Sequence, residues 1–275
     1  MEFVVKEVDC NLLESINFIY DGISCKDMGV TMVQGTGGQY EESLFANRKV
    51  ITQTIPHREK SIFKRVEYEP LSFSIPVYLD GWQDRNNLRA IARWLFKDEF
   101  KPLIFESNSD NIYYAMVDGD VNLLHNGVQQ GLLTIPFICN SPYSYSELKV
   151  DVMTVQNSVT RSYFNEGDLV INPQIKIRKI GDGDIRIKNL ANNQEMIITG
   201  LYNNEVVTVN GENQEIVSSL EQSNNRYLLT NHNDVWLDFE PNYFSPTEFL
   251  FTGSFQCEFY YENKYLNQDL PIYFT

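Results

Sequence analysis

Only one segment of this chain has helical periodicity; almost all the rest is short extended runs broken by turn residues. Between Asp84 and Phe96, Leu88, Ile91, Ala92 and Leu95 recur at i, i+3, i+4 and i+7, which predicts a helix with one apolar stripe. Asp84 is placed to cap it, and Lys97 lies at its C-terminal end, where a cation is favoured. Arg85, Arg89 and Arg93 share the opposite side and read as a solvated ridge. The expected fold is therefore mainly β. At 275 residues the chain is long for one compact core, so two domains are expected.

In the first half, Met28 to Val33 reads as a strand, and Glu69 to Tyr78 alternates Leu71, Phe73 and Ile75 with Ser72 and Ser74. Pro76 suggests an edge or a strand end. Leu103 to Glu106, Ile112 to Val117 and Gly131 to Cys139 add further strands, and Ser141-Pro142-Tyr143 closes the half. The glycine run Gln34-Gly35-Thr36-Gly37-Gly38 has no helix start after it, which excludes a phosphate-binding loop. The stretch from 38 to 56 instead predicts a long hairpin whose strands flank Ser43 to Lys49. Strands of about eight residues would reach on the order of 25 Å. Leu44 and Phe45 near its tip, with Arg48 and Lys49 beside them, are the candidate oligomer contacts. An ordinary internal hairpin is the alternative.

A boundary near residues 145–152 separates a first domain, 1–148, from a second, 149–275. The second half carries strand patterns at Val170 to Ile180, Ile185 to Asn189, Gln194 to Thr199, Glu205 to Val209 and Glu215 to Val217. Gly181-Asp182-Gly183-Asp184, Asn203-Asn204 and Asn210-Gly211 separate them, and Asn-Gly is a strong hairpin signal. Aromatic-rich strands are expected at 227–239 and 247–261. So many short strands predict a β-sandwich or jelly roll.

The formal net charge of -15, from 22 basic and 37 acidic residues, argues against a surface that grips phosphate backbones. Cys10, Cys25, Cys139 and Cys257 are too far apart for paired metal spacing and read as reduced, buried thiols. No window has the length and apolarity of a membrane span, and the N-terminus lacks the pattern of a secretory signal. His57, His125 and His232 are scattered, and neither Gly-x-Ser-x-Gly, His-Glu-x-x-His nor a Walker loop occurs. Asp118/Asp120 and Asp182/Asp184 flank glycines in turns, where carboxylates bond backbone. Tyr113-Tyr114, Phe259-Tyr260-Tyr261 and Trp236 could stack on sugar rings, although strand alternation assigns at least half of each cluster to packing. No catalytic residue, cofactor or metal site is expected.

The order of residues resembles the distal tail protein family of long, non-contractile-tailed bacteriophages. In the first half the resemblance rests on Phe18-Ile19-Tyr20-Asp21-Gly22, Ala92-Arg93-Trp94-Leu95, Leu103-Ile104-Phe105, Tyr113-Tyr114-Ala115 and Ile138-Cys139-Asn140-Ser141-Pro142-Tyr143. In the second it rests on Asn165-Glu166-Gly167, Pro173 to Ile177 and Gly183 to Asn189, and it loosens after about residue 212. It implies a tail-tube-like N-terminal domain with one helix and a long hairpin that embraces the next subunit. It implies a C-terminal galectin-like sandwich on the outside of the assembly. It further implies a homo-hexameric ring, single or as two stacked rings, in the tail tip of a virion assembled in the host cytoplasm. The implied partners are the tail tube protein, a tip or tail-associated lysin protein and receptor-binding proteins, with DNA only passing through the lumen. A carbohydrate-binding sandwich module recognising cell-wall glycans is the rival reading.

Overall fold

The computed structural model describes residues 17–32, 46–79, 83–125, 131–220 and 230–266. It is mainly β, with one α-helix among the described residues. The chain divides into two compact units between Ser144 and Tyr145; the second runs to Tyr265, and Leu266 belongs with the first.

The first unit contains β1 (Phe18–Tyr20), β2 (Ile23–Ser24), β3 (Val30–Met32), β4 (Arg48–Gln53), β5 (Ile62–Tyr68), β6 (Ser72–Leu79), α1 (Arg85–Leu95), β7 (Lys101–Phe105), β8 (Asn108–Val117), β9 (Leu123–His125) and β10 (Gly131–Cys139). Its sheet runs β2-β1-β7-β8-β10-β6-β3, with β9 added to β10. Strand alternation sends Ile75, Val77 and Leu79 of β6 and Leu133, Ile135, Phe137 and Cys139 of β10 into one core. Pro76 is internal to β6, opposite Thr134, and lies just past the last described pairing with β3, Met32 with Val77.

The helix forms where its periodicity predicts it. The Asp84 carboxylate accepts a hydrogen bond from Asn86 N at 2.8 Å, satisfying a donor that the first turn leaves free. Its buried face differs from the expected stripe. Ile91, Trp94 and Leu95 are buried and Leu88 is half-buried, whereas Ala92 is exposed. Trp94 displaces Ala92 because its indole has a place made for it. The ring stacks on Phe18 at 5.7 Å, and its N–H donates to Tyr20 O at 2.9 Å.

The two-residue β11 (Ser144–Tyr145) has one residue on each side of the division; the second unit then contains β12 (Lys149–Tyr163), β13 (Gln174–Lys179), β14 (Gly183–Asn189), β15 (Glu195–Leu201), β16 (Val206–Asn210), β17 (Glu215–Ser218), β18 (Thr247–Tyr261) and the short β19 (Lys264–Tyr265). The sheet order is β15-β14-β18-β13-β16-β17. The fifteen-residue β18 organises it: β12 pairs along its whole length, while β14 and β13 share its other edge in succession. Phe249, Phe251, Phe255, Cys257 and Phe259 all point from β18 into the core. Gly253, at φ 131°, sits between the β14 and β13 pairings and faces Asn157, at φ 68°.

One expectation is corrected here. Residues 230–239 are not a strand; they are an irregular segment held by isolated bridges, His232 to Ile198 and Phe239 to Ile171. Asn231 and Asn233 also donate side-chain N–H groups to Thr199 O and Glu195 O, both at 2.8 Å, so amide side chains replace a backbone ladder.

Candidate functional site

Among the described residues, the β4–β5 hairpin is a strand pair left almost wholly exposed. The two strands pair with each other and, among the described strands, with nothing else. Apart from Ile51 and Val66, which are half-buried, every residue of both strands is exposed. Val50 is 55% exposed and Phe63 62%, values that leave most of each apolar side chain in water. A two-stranded ribbon is marginally stable by itself. Its base is held: Glu69 N donates to Asn47 O at 3.0 Å, the Asn47 amide donates to Glu69 Oε2 at 2.8 Å, and Tyr68 packs on Tyr143 with ring centres 6.3 Å apart.

The register makes the ribbon two-faced. Arg48/Tyr68, Val50/Val66 and, beyond a bulge, Thr52/Phe63 lie opposite each other on one side. Lys49/Glu67, Ile51/Arg65 and Gln53/Ile62 occupy the other. The first side is an apolar ridge; the second is charged, with Arg65 Nη2 2.5 Å from Glu67 Oε1. Between residues 48 and 68 the cations Arg48, Lys49, Arg58, Lys60, Lys64 and Arg65 outnumber the acids Glu59 and Glu67. In an acidic chain this ribbon is a basic island.

The structure moves the hairpin relative to the sequence expectation. The described hairpin turns at 54–61, and Arg48 and Lys49, expected beside the tip, open β4 at the base of the ribbon, paired with Tyr68 and Glu67. Pro56, which has no N–H to give a ladder, and His57, at φ 66°, are what end the strand. Leu44 and Phe45 lie outside the described residues. Phe63 and Ile62 were missed, although Ile62-Phe63 beside a Pro-containing turn is a signal the sequence carries.

Elsewhere the polar residues singled out by sequence are absorbed locally. Asp182 accepts from Asn203 N at 2.7 Å and Asp184 from Gly200 N at 2.8 Å, so this pair ties one turn to the next. Tyr113 and Phe259 are core residues, and Phe259 stacks on Tyr163 at 4.3 Å. Trp236 is half-buried against the second core and meets His232 edge-on at 4.8 Å; burial pushes the His232 pKa down. Cys25, Cys139 and Cys257 are buried free thiols. Burial raises all three, Cys139 to about 12, which disfavours the reactive thiolate. Among the described residues no three His, Cys, Asp or Glu side chains gather at metal-ligand spacing. No described helix is long and apolar enough to cross a membrane.

Comparison with known proteins places this architecture. Residues 13–141 match the N-terminal domain of a phage tail protein family, and residues 143–261 match a phage tail C-terminal domain. The chain belongs to this phage tail protein family. The tail protein is also 31% identical over 225 residues to the SPbeta prophage-derived protein YomH of Bacillus subtilis strain 168, covering 78% of this chain and 89% of that one. The crystal structure of SPP1 Dit, described as a paradigm of the hub adsorption apparatus in phages infecting Gram-positive bacteria, superimposes with a TM-score of 0.65. That match covers 91% of the tail protein and 99% of SPP1 Dit at 15% identity, and it establishes a shared fold.

Proposed function

We propose that the tail protein is the distal-tail hub of a phage particle. Copies join side by side through the β4–β5 ribbon into a closed hexameric ring at the tail tip, and the genome passes through its opening. The observation that carries this reading is the ribbon itself: an apolar ridge of Val50, Val66 and Phe63 with no other described strand laid against it. Ordering such a ribbon in water gains little, whereas burying the ridge against a second copy recovers about 1.5–3 kcal/mol for each large side chain. A contact in which the ribbon of one copy meets a different surface of the next is heterologous, and heterologous contacts close into rings when the rotation permits. The similarity to SPP1 Dit, a protein described as a hub, supports the same assignment.

In this reading the first unit forms the ring and abuts the tail tube protein and a tip or lysin protein. The second unit is a galectin-like sandwich facing outward, where receptor-binding proteins dock. Six copies at -15 each carry about -90 in formal charge, and carboxylates along the opening repel DNA from the wall. Catalysis has no part in this role. Light scattering with negative-stain electron microscopy of the purified protein tests it: rings of six with a central hole are expected. Monomers persisting at high concentration would refute it.

A further inference from the structure

An apolar groove of about 660 Å³ lies between α1 and the sheet of the first unit. Leu88, Leu95 and Phe96 form one wall, and Val121, Leu123 and Leu133 form the other. Phe96 is 83% exposed, so the groove mouth is itself apolar. A concave, mostly apolar site of this size is what an inserted side-chain ridge requires.

Its border on the sheet side carries the opposite charge to the ribbon. Asp118 and Asp120 flank Gly119, which lines the groove, and Asp98 follows Lys97, which also lines it. The three aspartates are in no ion pair among the described residues, whereas Lys97 is already engaged with Asp21 at 2.5 Å. The sheet-side rim, at Asp118 and Asp120, is therefore acidic, whereas on the helix side Arg89 and Arg93 follow the lining residues Leu88 and Ala92. The β4–β5 ribbon is the reverse of the sheet side, an apolar ridge bordered by Arg48, Lys60 and Lys64.

The geometry points to this groove as the socket for the ribbon of a second copy of the chain, with Phe63 as the inserted side chain. Within one copy both halves are left open, since the ribbon pairs with no other described strand and Phe63 remains largely in water. Because ridge and socket are different surfaces, every copy keeps one of each to offer, and the contact propagates from copy to copy. Opposite charge at the sheet-side border sets register and suppresses wrong docking, while burial of Phe63 and Val50 supplies most of the affinity. The inference rests on the hub reading and specifies which surface of the neighbour the ribbon meets.

The test replaces Phe63 with photoreactive p-benzoylphenylalanine in the full chain and irradiates an isotope-mixed sample. Mass spectrometry then shows which peptide is captured and from which copy. Capture of residues 88–97 or 116–123 of a different copy is the expected result. Rings that form while the adducts lie elsewhere, or within the same copy, overturn the socket and leave the hub reading standing. Wild-type protein that never assembles overturns both. The charged border is tested separately: Lys64→Glu should weaken assembly roughly tenfold, and adding Asp118→Lys with Asp120→Lys should restore it. A loss that the compensating pair does not recover also overturns the assignment.

Discussion

Lys97 follows α1 by two residues and reaches back to the turn that leaves β1. Its Nζ lies 2.5 Å from Asp21 Oδ2, with Lys101 3.9 Å from the other oxygen. Asp21 holds φ 51°, a left-handed geometry that an aspartate tolerates better than most residues, and Gly22 follows at φ 74°. The hydrogen bond from Lys97, and then the charges of Lys97 and Lys101, hold the Asp21 carboxyl below its ordinary pKa. A depressed folded-state pKa stabilises the protein fully above the unfolded value of about 3.9, and that contribution is lost as pH falls through the folded value. The pair is partly exposed, so its contribution at neutral pH is about 0.2–1 kcal/mol. Lys97→Met should lower the unfolding free energy from urea titration by that amount at pH 7, and the gap to wild type should narrow below about pH 4. A gap constant down to pH 3 would show that Lys97 acts by packing alone.

At the scale of elements, Asn165-Glu166-Gly167 shows how a short motif becomes a structural joint. The buried Asn165 amide donates to Leu169 O at 2.8 Å and Phe239 O at 3.0 Å, and its oxygen accepts from Gly167 N at 3.0 Å. Gly167 is required by a close approach: a Cβ there would lie 2.6 Å from Lys264 O and 2.8 Å from Lys264 N. Backbone cannot give way as a side-chain tip can, so Gly167→Ala should cost about 1–3 kcal/mol, read as a lower thermal midpoint. Asn165→Ala should cost a similar amount, because the Phe239 and Leu169 carbonyls lose their donor. The same elements show what the sequence makes legible. The helix was visible because its 3.6-residue period is carried by large aliphatic side chains, and the strands with clean alternation, such as β10 and β14, were visible for the same kind of reason. β12 was not, since Val150 and Val152 face outward while Met153 and Val155 face inward, and apolar residues on both sides erase the period. The ribbon was legible as a hairpin but misplaced: a turn built on Pro56 and His57 competed with a nearer run of small and polar residues, and strand pairing is set by partners distant in sequence.

For the whole molecule, the division into two units has a thermodynamic consequence. One hydrophobic cluster gathers Phe18, Tyr20, Trp94, Phe105 and Phe137; the other gathers Ile175, Ile187, Phe249, Phe255 and Phe259, and no residue belongs to both. Each unit thus has a core of the kind that supports cooperative unfolding by itself. Trp94→Ala removes a ring from the first cluster and Phe255→Ala from the second, and each should cost about 3–5 kcal/mol in its own unit. Differential scanning calorimetry should then resolve two transitions, with Trp94→Ala lowering one and Phe255→Ala the other, each by several degrees. A single transition moved equally by both substitutions would mean that the cores unfold as one. Assembly sharpens the distinction. If the ring is built through the ribbon of the first unit, raising the protein concentration should lift the transition sensitive to Trp94→Ala, because association stabilises the unit that makes the contact. The transition sensitive to Phe255→Ala should stay where it is. The concentration dependence of two melting temperatures therefore reports which half of the tail protein meets its neighbours, without any change to the contact surface itself.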